Sequence, residues 1–384
     1  MDGVQNVPRA GIIELVFGEP DPAPLPVTEI RRACATALDG GRTAALPYGA
    51  NEGPPELRRL IAARIAATED RKVPEGEIAI TGGNSLAFDQ VLTRFTTPGD
   101  TVLVELPTYI LALGIVRDHH VDLEAVPVDD DGLDVVVLER ILDALALAGR
   151  RARLLYTIPT FQNPTGTCLS AARRRRLVEL AAAHDLLIVE DDVYRELVYD
   201  GVAPPSLWSI APVATVLRLG SFAKTIAPGL RVGWLNGSAT QVEHFAAAGF
   251  VDSGGCPSHF SASVVACYLE GGGYPARVER LRGEYRARRD ALAAALTEHL
   301  PPGSSFVVPG GGFFIWVTLP EGLTASALLP VAERHGVSFV PAAQAMLKGD
   351  DGALRLAFSM YPPAQLAEGA KRLGAALGSF SAGR

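Results

Sequence analysis

Lysine is scarce in this chain. Only Lys72, Lys224, Lys348 and Lys371 occur among its 35 basic residues, so chemistry that needs a primary amine has few candidates. Cysteine is as sparse: Cys34, Cys168, Cys256 and Cys267 include no C-x-x-C pair, which indicates neither a zinc site nor a disulfide framework. No apolar run is as long as a membrane span, and the acidic, proline-containing start has no signal-peptide pattern. A cytoplasmic location with no membrane partner is therefore expected. The net charge of −8 argues for solubility and against a nucleic-acid surface. The basic run Arg173-Arg174-Arg175-Arg176 is accordingly expected to be an exposed helix face. The Gly-x-Gly-x-x-Gly pattern of a dinucleotide loop is also missing.

What the chain does contain is alternation. Thr101–Glu105, Arg153–Ile158, Asp185–Val189 and Thr215–Leu219 are apolar runs rich in β-branched residues, with helical patterns between them. This predicts an α/β fold with an open, mostly parallel sheet, whose ligands sit beyond the carboxyl ends of the strands. The residues that follow each run are Pro107-Thr108-Tyr109, then Asn163-Pro164-Thr165-Gly166, then Asp191-Asp192-Val193-Tyr194, then Ser221 and Lys224. An aromatic ring, an amide, a carboxylate with a phenol, and a lysine thus converge on one edge.

Among the four lysines, only Lys224 has an apolar strand before it and a Pro-Gly turn, Pro228-Gly229, after it. A lysine there can form a Schiff base with an aldehyde, and Ser221 and Arg231 can hold a phosphate nearby. Those are the groups that pyridoxal 5′-phosphate requires of its protein. The remaining types fit a charged heteroaromatic ring. Asp191 is expected to pair with the pyridinium and keep it protonated, with Asp192 pointing to the opposite face. Asn163 and Tyr194 can hydrogen-bond the ring hydroxyl oxygen, and Tyr109 can stack on the ring. Taken singly, Asp191 reads equally well as a cap or turn residue, and Asn163 as a turn former before proline.

A second phosphate element lies upstream. Ile78–Thr81 reads as a strand, Gly82-Gly83 as a tight turn, and a helix opens at Asn84-Ser85. Backbone N–H groups at a helix start after glycines bind phosphate well. The plain alternative is a glycine turn with Asn84 or Ser85 capping the helix.

With these pieces in place, the chain resembles a class I/II aminotransferase of the fold-type I pyridoxal-phosphate enzymes over essentially its whole length. The matching motifs stand in that family's order. They run from Gly18-Glu19-Pro20-Asp21-Pro22 and Tyr48-Gly49-Ala50-Asn51-Glu52-Gly53 through the segments above. Gly311-Gly312-Phe313-Phe314-Ile315-Trp316 and Leu354-Arg355-Leu356-Ala357-Phe358-Ser359 close the series. The resemblance implies that Lys224 is the Schiff-base lysine and proton carrier. Gly83, Asn84, Ser221 and Arg231 would hold the phosphate, with Tyr48 reaching over from the other subunit of a homodimer. Arg355 would bind the substrate α-carboxylate, a task suited to its planar fork. Gly18, Phe17, Asn163 and His259 would line the substrate.

Three departures from the family pattern bear on substrate. The phosphate turn is Gly-Gly-Asn-Ser, Val16-Phe17 precede Gly18 where small residues are commoner, and His259 occupies a stretch often near the partner's site. His259 is open to a substrate contact, a proton shuttle or simple packing. The resemblance implies amino-group transfer between an L-amino acid and a 2-oxo acid. The alternative is a lyase, cyclase or replacement enzyme acting at the β- or γ-carbon, of the aminocyclopropanecarboxylate synthase kind. A ligand-sensing transcription regulator is the reading from another class. It is set aside because such proteins carry a DNA-binding domain ahead of a fold that here begins almost at Met1. The expected organisation is an N-terminal segment, 1–40, joining a small α+β domain at 276–384, with a large cofactor-binding domain at 41–275. Helices are expected over Val27–Leu38, Ser261–Leu269 and Pro275–Leu300. The last, arginine-rich on one face, is expected to bridge the domains.

Overall fold

A computed structural model describes residues 9–39, 43–347, 349 and 351–382. Lys348, one of the four lysines, lies outside the described residues. The large sheet has eight strands among them. Their order is Ile78–Thr81, Gly233–Asn236, Val216–Ser221, Leu187–Asp191, Ala152–Thr157, Thr101–Leu106, Asp122–Asp129 and Gly132–Leu133. The pairs from Val216–Ser221 across to Asp122–Asp129 are all parallel. Thr101–Leu106 is buried at every position, as expected of a central strand covered on both faces. Its side chains divide by period. Leu103 joins Leu155 and Ile188 in one apolar layer, while Val102 and Val104 join Leu154, Val189 and Leu219 in the other.

Gly233–Asn236 was not anticipated from the sequence, since it is four residues long and opens on glycine. It is antiparallel to both neighbours, and this has a structural consequence. Thr81 and Ser221 both pair with Gly233, so the ends of their two strands lie side by side, two strand spacings or roughly 10 Å apart. The Gly82-Gly83 turn and the Ser221–Lys224 turn are thereby delivered to the same edge. The third predicted strand lies two residues further on than its hydrophobic run suggests, so Asp191 is its last residue.

The smaller sheet is antiparallel, in the order Ser305–Phe306, Phe314–Thr318, Ala353–Ala357 and Val340–Pro341. Residues 337–341 form two short strands, Val337–Ser338 and Val340–Pro341. Val337–Ser338 pairs instead with Ile13–Glu14, and the chain then continues along the sheet, where the Ala357 N–H bonds to Leu15 O at 2.8 Å. That path carries Val16, Phe17 and Gly18 to the edge of the larger unit. Helices Tyr274–His299 and Pro363–Ala382 cover this sheet.

Two readings of the arginine-rich stretches are corrected. Arg174 is not on a solvated face. It is 1% exposed and donates to the carbonyls of Leu169 (2.8 Å), Pro159 (2.5 Å) and Pro205 (3.0 Å) and to Thr160 Oγ1 (2.9 Å). Within Tyr274–His299, Arg277, Arg288 and Arg289 are also buried. Arg277 bonds the carbonyls of Pro24, Thr225 and Ile226, and Arg288 bonds Asp21 at 2.6 Å. A helix stripe of this kind uses the five donors of each guanidinium to bind backbone that no secondary structure satisfies. Arg174→Ala should therefore cost about 3 kcal/mol or more in chemical denaturation, since several charge-assisted hydrogen bonds lose their donor. Exposed Arg175→Ala should stay within about 0.5 kcal/mol. Equal effects would contradict this assignment.

Candidate active site

The edge defined by these strand ends gathers the expected residues. Lys224 sits in the turn after Val216–Ser221, where Ser221 Oγ accepts the Ala223 N–H at 3.1 Å and Ile226 N–H bonds Phe222 O at 2.8 Å. Its Nζ donates to Gly18 O at 2.7 Å. It lies 5.8 Å from the Phe313 ring centre and 6.0 Å from that of Tyr194. No carboxylate among the described residues forms an ion pair with it. Burial therefore lowers its pKa to about 8; Glu19 and Asp191 oppose the shift, while Arg355 and Arg231 add to it.

Asp191 and Asp192 point to opposite faces, as their alternation requires. Asp192 is held by Arg218 at 2.8 Å and by Arg195. Asp191 has no such partner: Oδ1 accepts from Asn84 Nδ2 at 2.7 Å and Oδ2 from the Tyr156 hydroxyl at 2.7 Å. Burial raises its pKa, against the pull of those two hydrogen bonds. Tyr194 is buried in an edge-on cluster with Phe313 and Phe314, and burial raises its phenol further. Tyr109 precedes the helix Ile110–Arg117, and burial pushes its phenol up.

The phosphate elements form a cradle. Gly83 has φ +91°, a conformation that favours glycine, and a Cβ there would meet Arg231 Nη2 at 2.5 Å and displace that guanidinium. Arg231 is itself left-handed, with φ 52° and ψ 46°, and donates to Gly82 O at 3.0 Å. The helix Asn84–Phe95 starts here, directing its first N–H groups and positive dipole end outward. Together with the Ser221 hydroxyl, these are the donors a phosphate dianion needs.

Arg355 is 6% exposed. Its Nη1 donates to Asn163 Oδ1 at 2.9 Å and its Nη2 to Val16 O at 2.6 Å, while Nε is buried without a partner. The guanidinium carbon lies 4.4 Å from the Phe314 ring centre, and burial lowers its pKa to about 10. A buried cation with a spare donor and no carboxylate calls for an anion.

The other expected residues have partners within the chain. The Asn84 side chain is committed to Asp191, which leaves only its backbone N–H for a phosphate. The Asn163 amide oxygen accepts from Arg355, and its NH₂ group is the part able to donate to a ring hydroxyl oxygen. His259 makes its contacts away from this group: Nε2 is 2.8 Å from Ala44 O and the ring lies against Gly49. It packs the loop that carries Tyr48, which is 87% exposed. Phe17 is buried, and its carbonyl accepts from Ser359 Oγ at 3.3 Å. Gly18 is required where it stands, since a Cβ would meet Phe314 Cζ at 2.7 Å.

Residues the sequence reading missed are Tyr156, Glu105 and Gln162. Glu105 is buried at its strand end, accepting from Thr157 Oγ1 (2.6 Å), Ile158 N–H (2.7 Å) and Gln162 Nε2 (3.1 Å). Gln162 also donates to Pro107 O at 2.7 Å, tying the Tyr109 loop to the Asn163 loop. Burial raises Glu105 to about 7. The available signal was Glu105 and Tyr156 near the ends of largely apolar strands, with Gln162 in the loop after the second.

A lone half-buried amine, a buried carboxylate and a phosphate cradle are the parts of a pyridoxal-phosphate site, and the residues present fit that cofactor. The chain belongs to aminotransferase class I and II, whose family pattern it matches over residues 11–373. It is 36% identical over 371 residues to aromatic-amino-acid aminotransferase 1 of Thermococcus litoralis, covering 96% of this chain and 88% of that protein. It is 34% identical over 375 residues to 2-aminoadipate transaminase of Thermus thermophilus, covering 96% and 91%. The crystal structure of Pyrococcus horikoshii kynurenine aminotransferase is similar with a TM-score of 0.92 at 33% identity, covering 97% and 92%. The protein is thus a pyridoxal-phosphate-dependent aminotransferase of fold type I.

The lowered pKa of Lys224 is directly testable. In cofactor-free protein, acylation of Lys224 by an amine-selective reagent should be half-maximal near pH 8, because the neutral amine is the nucleophile. Solvated lysines should reach that point only above about pH 10. A Lys224 midpoint above 10, read by peptide mass mapping, would contradict the burial argument.

Proposed function

We propose that Lys224 carries the cofactor and moves the substrate proton, in amino-group transfer between an L-amino acid and a 2-oxo acid. The observation that carries this reading is the Lys224 amine, half-buried and without an ion-pair partner among the described residues, on the same sheet edge as Asp191. When bound, pyridoxal phosphate supplies an electron sink for the charge left at the substrate α-carbon. Asp191 would favour the protonated ring nitrogen by its charge. Gly83, Ser221, Arg231 and the Asn84 N–H would hold the phosphate, and Tyr109 would cover the ring. Tyr194 and Asn163 would face the ring oxygen. A Lys224 amine with a pKa near 8 is partly neutral at working pH, which suits a base that takes the α-proton and returns it elsewhere.

Arg355 would receive the substrate α-carboxylate through its spare Nε and the fork now resting on Asn163 and Val16. Val16, Phe17 and Gly18 arrive there with the N-terminal strand, so we take residues 1–40 to belong with the small unit 276–384, against a large unit at 41–275. The functional assembly in this reading is a cytoplasmic homodimer. Its support is an exposed group of apolar residues, Leu46, Tyr48, Phe250 and Phe260, two of them in the Tyr48 loop. No helix among the described residues is long and apolar enough to cross a membrane.

Transfer of ¹⁵N from a labelled amino acid to a 2-oxo acid tests the reaction. Arg355→Ala should lower kcat/KM for the amino acid by about 10²-fold or more, the scale for a buried charge-assisted pair losing one side. Arg355→Lys should mainly raise KM, because the charge stays and the fork is lost. Unchanged kinetics in Arg355→Ala would remove this residue from the substrate site. The dimer is tested by mixing Lys224→Ala chains with Tyr48→Phe chains. If Tyr48 serves the partner's site, one site in each hybrid dimer is free of both lesions and activity returns. A fully active monomer in sedimentation would contradict the assembly.

A further inference from the structure

Two adjacent aspartates stand at the end of the strand Leu187–Asp191, one as its last residue and one just after it, and the fold treats them differently. Asp192 is neutralised by Arg195 and Arg218 on one face. Asp191, on the other, accepts one hydrogen bond on each oxygen, and both donors are neutral. An arginine in either place would satisfy the carboxylate and cancel its charge. An amide and a phenol instead fix the plane of the carboxylate and favour its ionised form, while leaving the full negative charge and the remaining lone pairs available.

We propose that Asn84 and Tyr156 are a positioning pair, which keeps Asp191 ionised and aimed at the cofactor's ring nitrogen. This inference rests on the reading that Asp191 faces that nitrogen. The two donors are mechanically linked. Asn84 begins the helix Asn84–Phe95, and Phe88, one turn along the same face, packs against the Tyr156 ring with centroids 4.4 Å apart. The helix whose first N–H groups face the phosphate therefore also sets the carboxylate that faces the ring. Tyr156 is fully buried and its phenol is raised well above its ordinary pKa, with burial the leading cause, so it remains a donor at any working pH. The orientation of the Asn84 amide is fixed by its partner, since an ionised carboxylate accepts only from the NH₂ side. Other charged or titratable groups acting on Asp191 are Lys224, Asp192, Glu105, Tyr109 and Tyr194.

The test loads the holoenzyme with cofactor labelled with ¹⁵N in the ring and follows the nitrogen's chemical shift against pH. Four proteins are compared: wild type, Tyr156→Phe, Asn84→Ala and Asp191→Asn. Tyr156→Phe keeps the contact with Phe88 and removes only the donor. Each of Tyr156→Phe and Asn84→Ala should lower the pH at which the ring nitrogen deprotonates by about one unit, the scale of one hydrogen bond to a charged group. Cofactor affinity, read by fluorescence, should change by less than about threefold, because the phosphate cradle is intact. A purely structural role would lower the melting temperature and leave that midpoint unmoved. Thermal melts show which variants remain folded, and either single variant that does decides the question. If Asp191→Asn shifts the midpoint and the folded single variants do not, the positioning pair is wrong. If Asp191→Asn leaves the midpoint unchanged, the underlying reading of Asp191 fails first.

Discussion

A half-buried amine and a buried carboxylate, neither with an ion-pair partner among the described residues, set the constraint on which this site depends. Burying either ion alone costs several kcal/mol, and a direct pair would repay part of that. Here the two are kept apart. Lys224 rests on the Gly18 carbonyl, which lets burial lower its pKa to about 8. Asp191 rests on two neutral donors. The surrounding charges are arranged so that neither is cancelled, and Arg195 and Arg218 are absorbed by Asp192 and Glu69 on the far face. A site built this way has electrostatic work left to do on a ligand.

The fold supplies the rigidity that such a site needs. Parallel strands bring the ends of Thr101–Leu106, Ala152–Thr157, Leu187–Asp191 and Val216–Ser221 to one edge. The antiparallel strand Gly233–Asn236 adds the Gly82-Gly83 turn by pairing Thr81 and Ser221 with the same residue. Glu105 and Gln162 then fasten the loops across the edge. On the opposite side, the N-terminal strand runs along the small sheet and places Val16 and Gly18 against Arg355 and Lys224.

Much of this was legible in the sequence, for reasons that can be named. Buried parallel strands are continuous apolar runs, so four of them and their trailing polar residues stood out, and Lys224 was marked by the rarity of lysine. Asp191 and Asp192 separated by simple alternation. What escaped notice depends on distant pairing. Gly233–Asn236 is too short and too glycine-rich to show a period, and it exists because two other strands flank it. Tyr156 sits in an apolar strand where an aromatic residue raises no question until its hydroxyl is seen on Asp191. Arg174 looked solvated within four consecutive arginines, yet a helix turns by about 100° per residue, so one of the four had to face inward. The contacts of the Asn84 side chain with Asp191 and of His259 with Ala44 and Gly49 likewise depend on pairing between distant segments.

The central claim is that Lys224 is the residue to which the cofactor is joined. The most direct measurement is borohydride reduction of the holoenzyme followed by mass mapping of the modified peptide. The pyridoxyl mass is expected on Lys224 alone, in the peptide that contains Ser221 to Arg231, and should be lost from Lys224→Ala. The same mass on Lys72, Lys348 or Lys371, with Lys224 unmodified, would contradict the account.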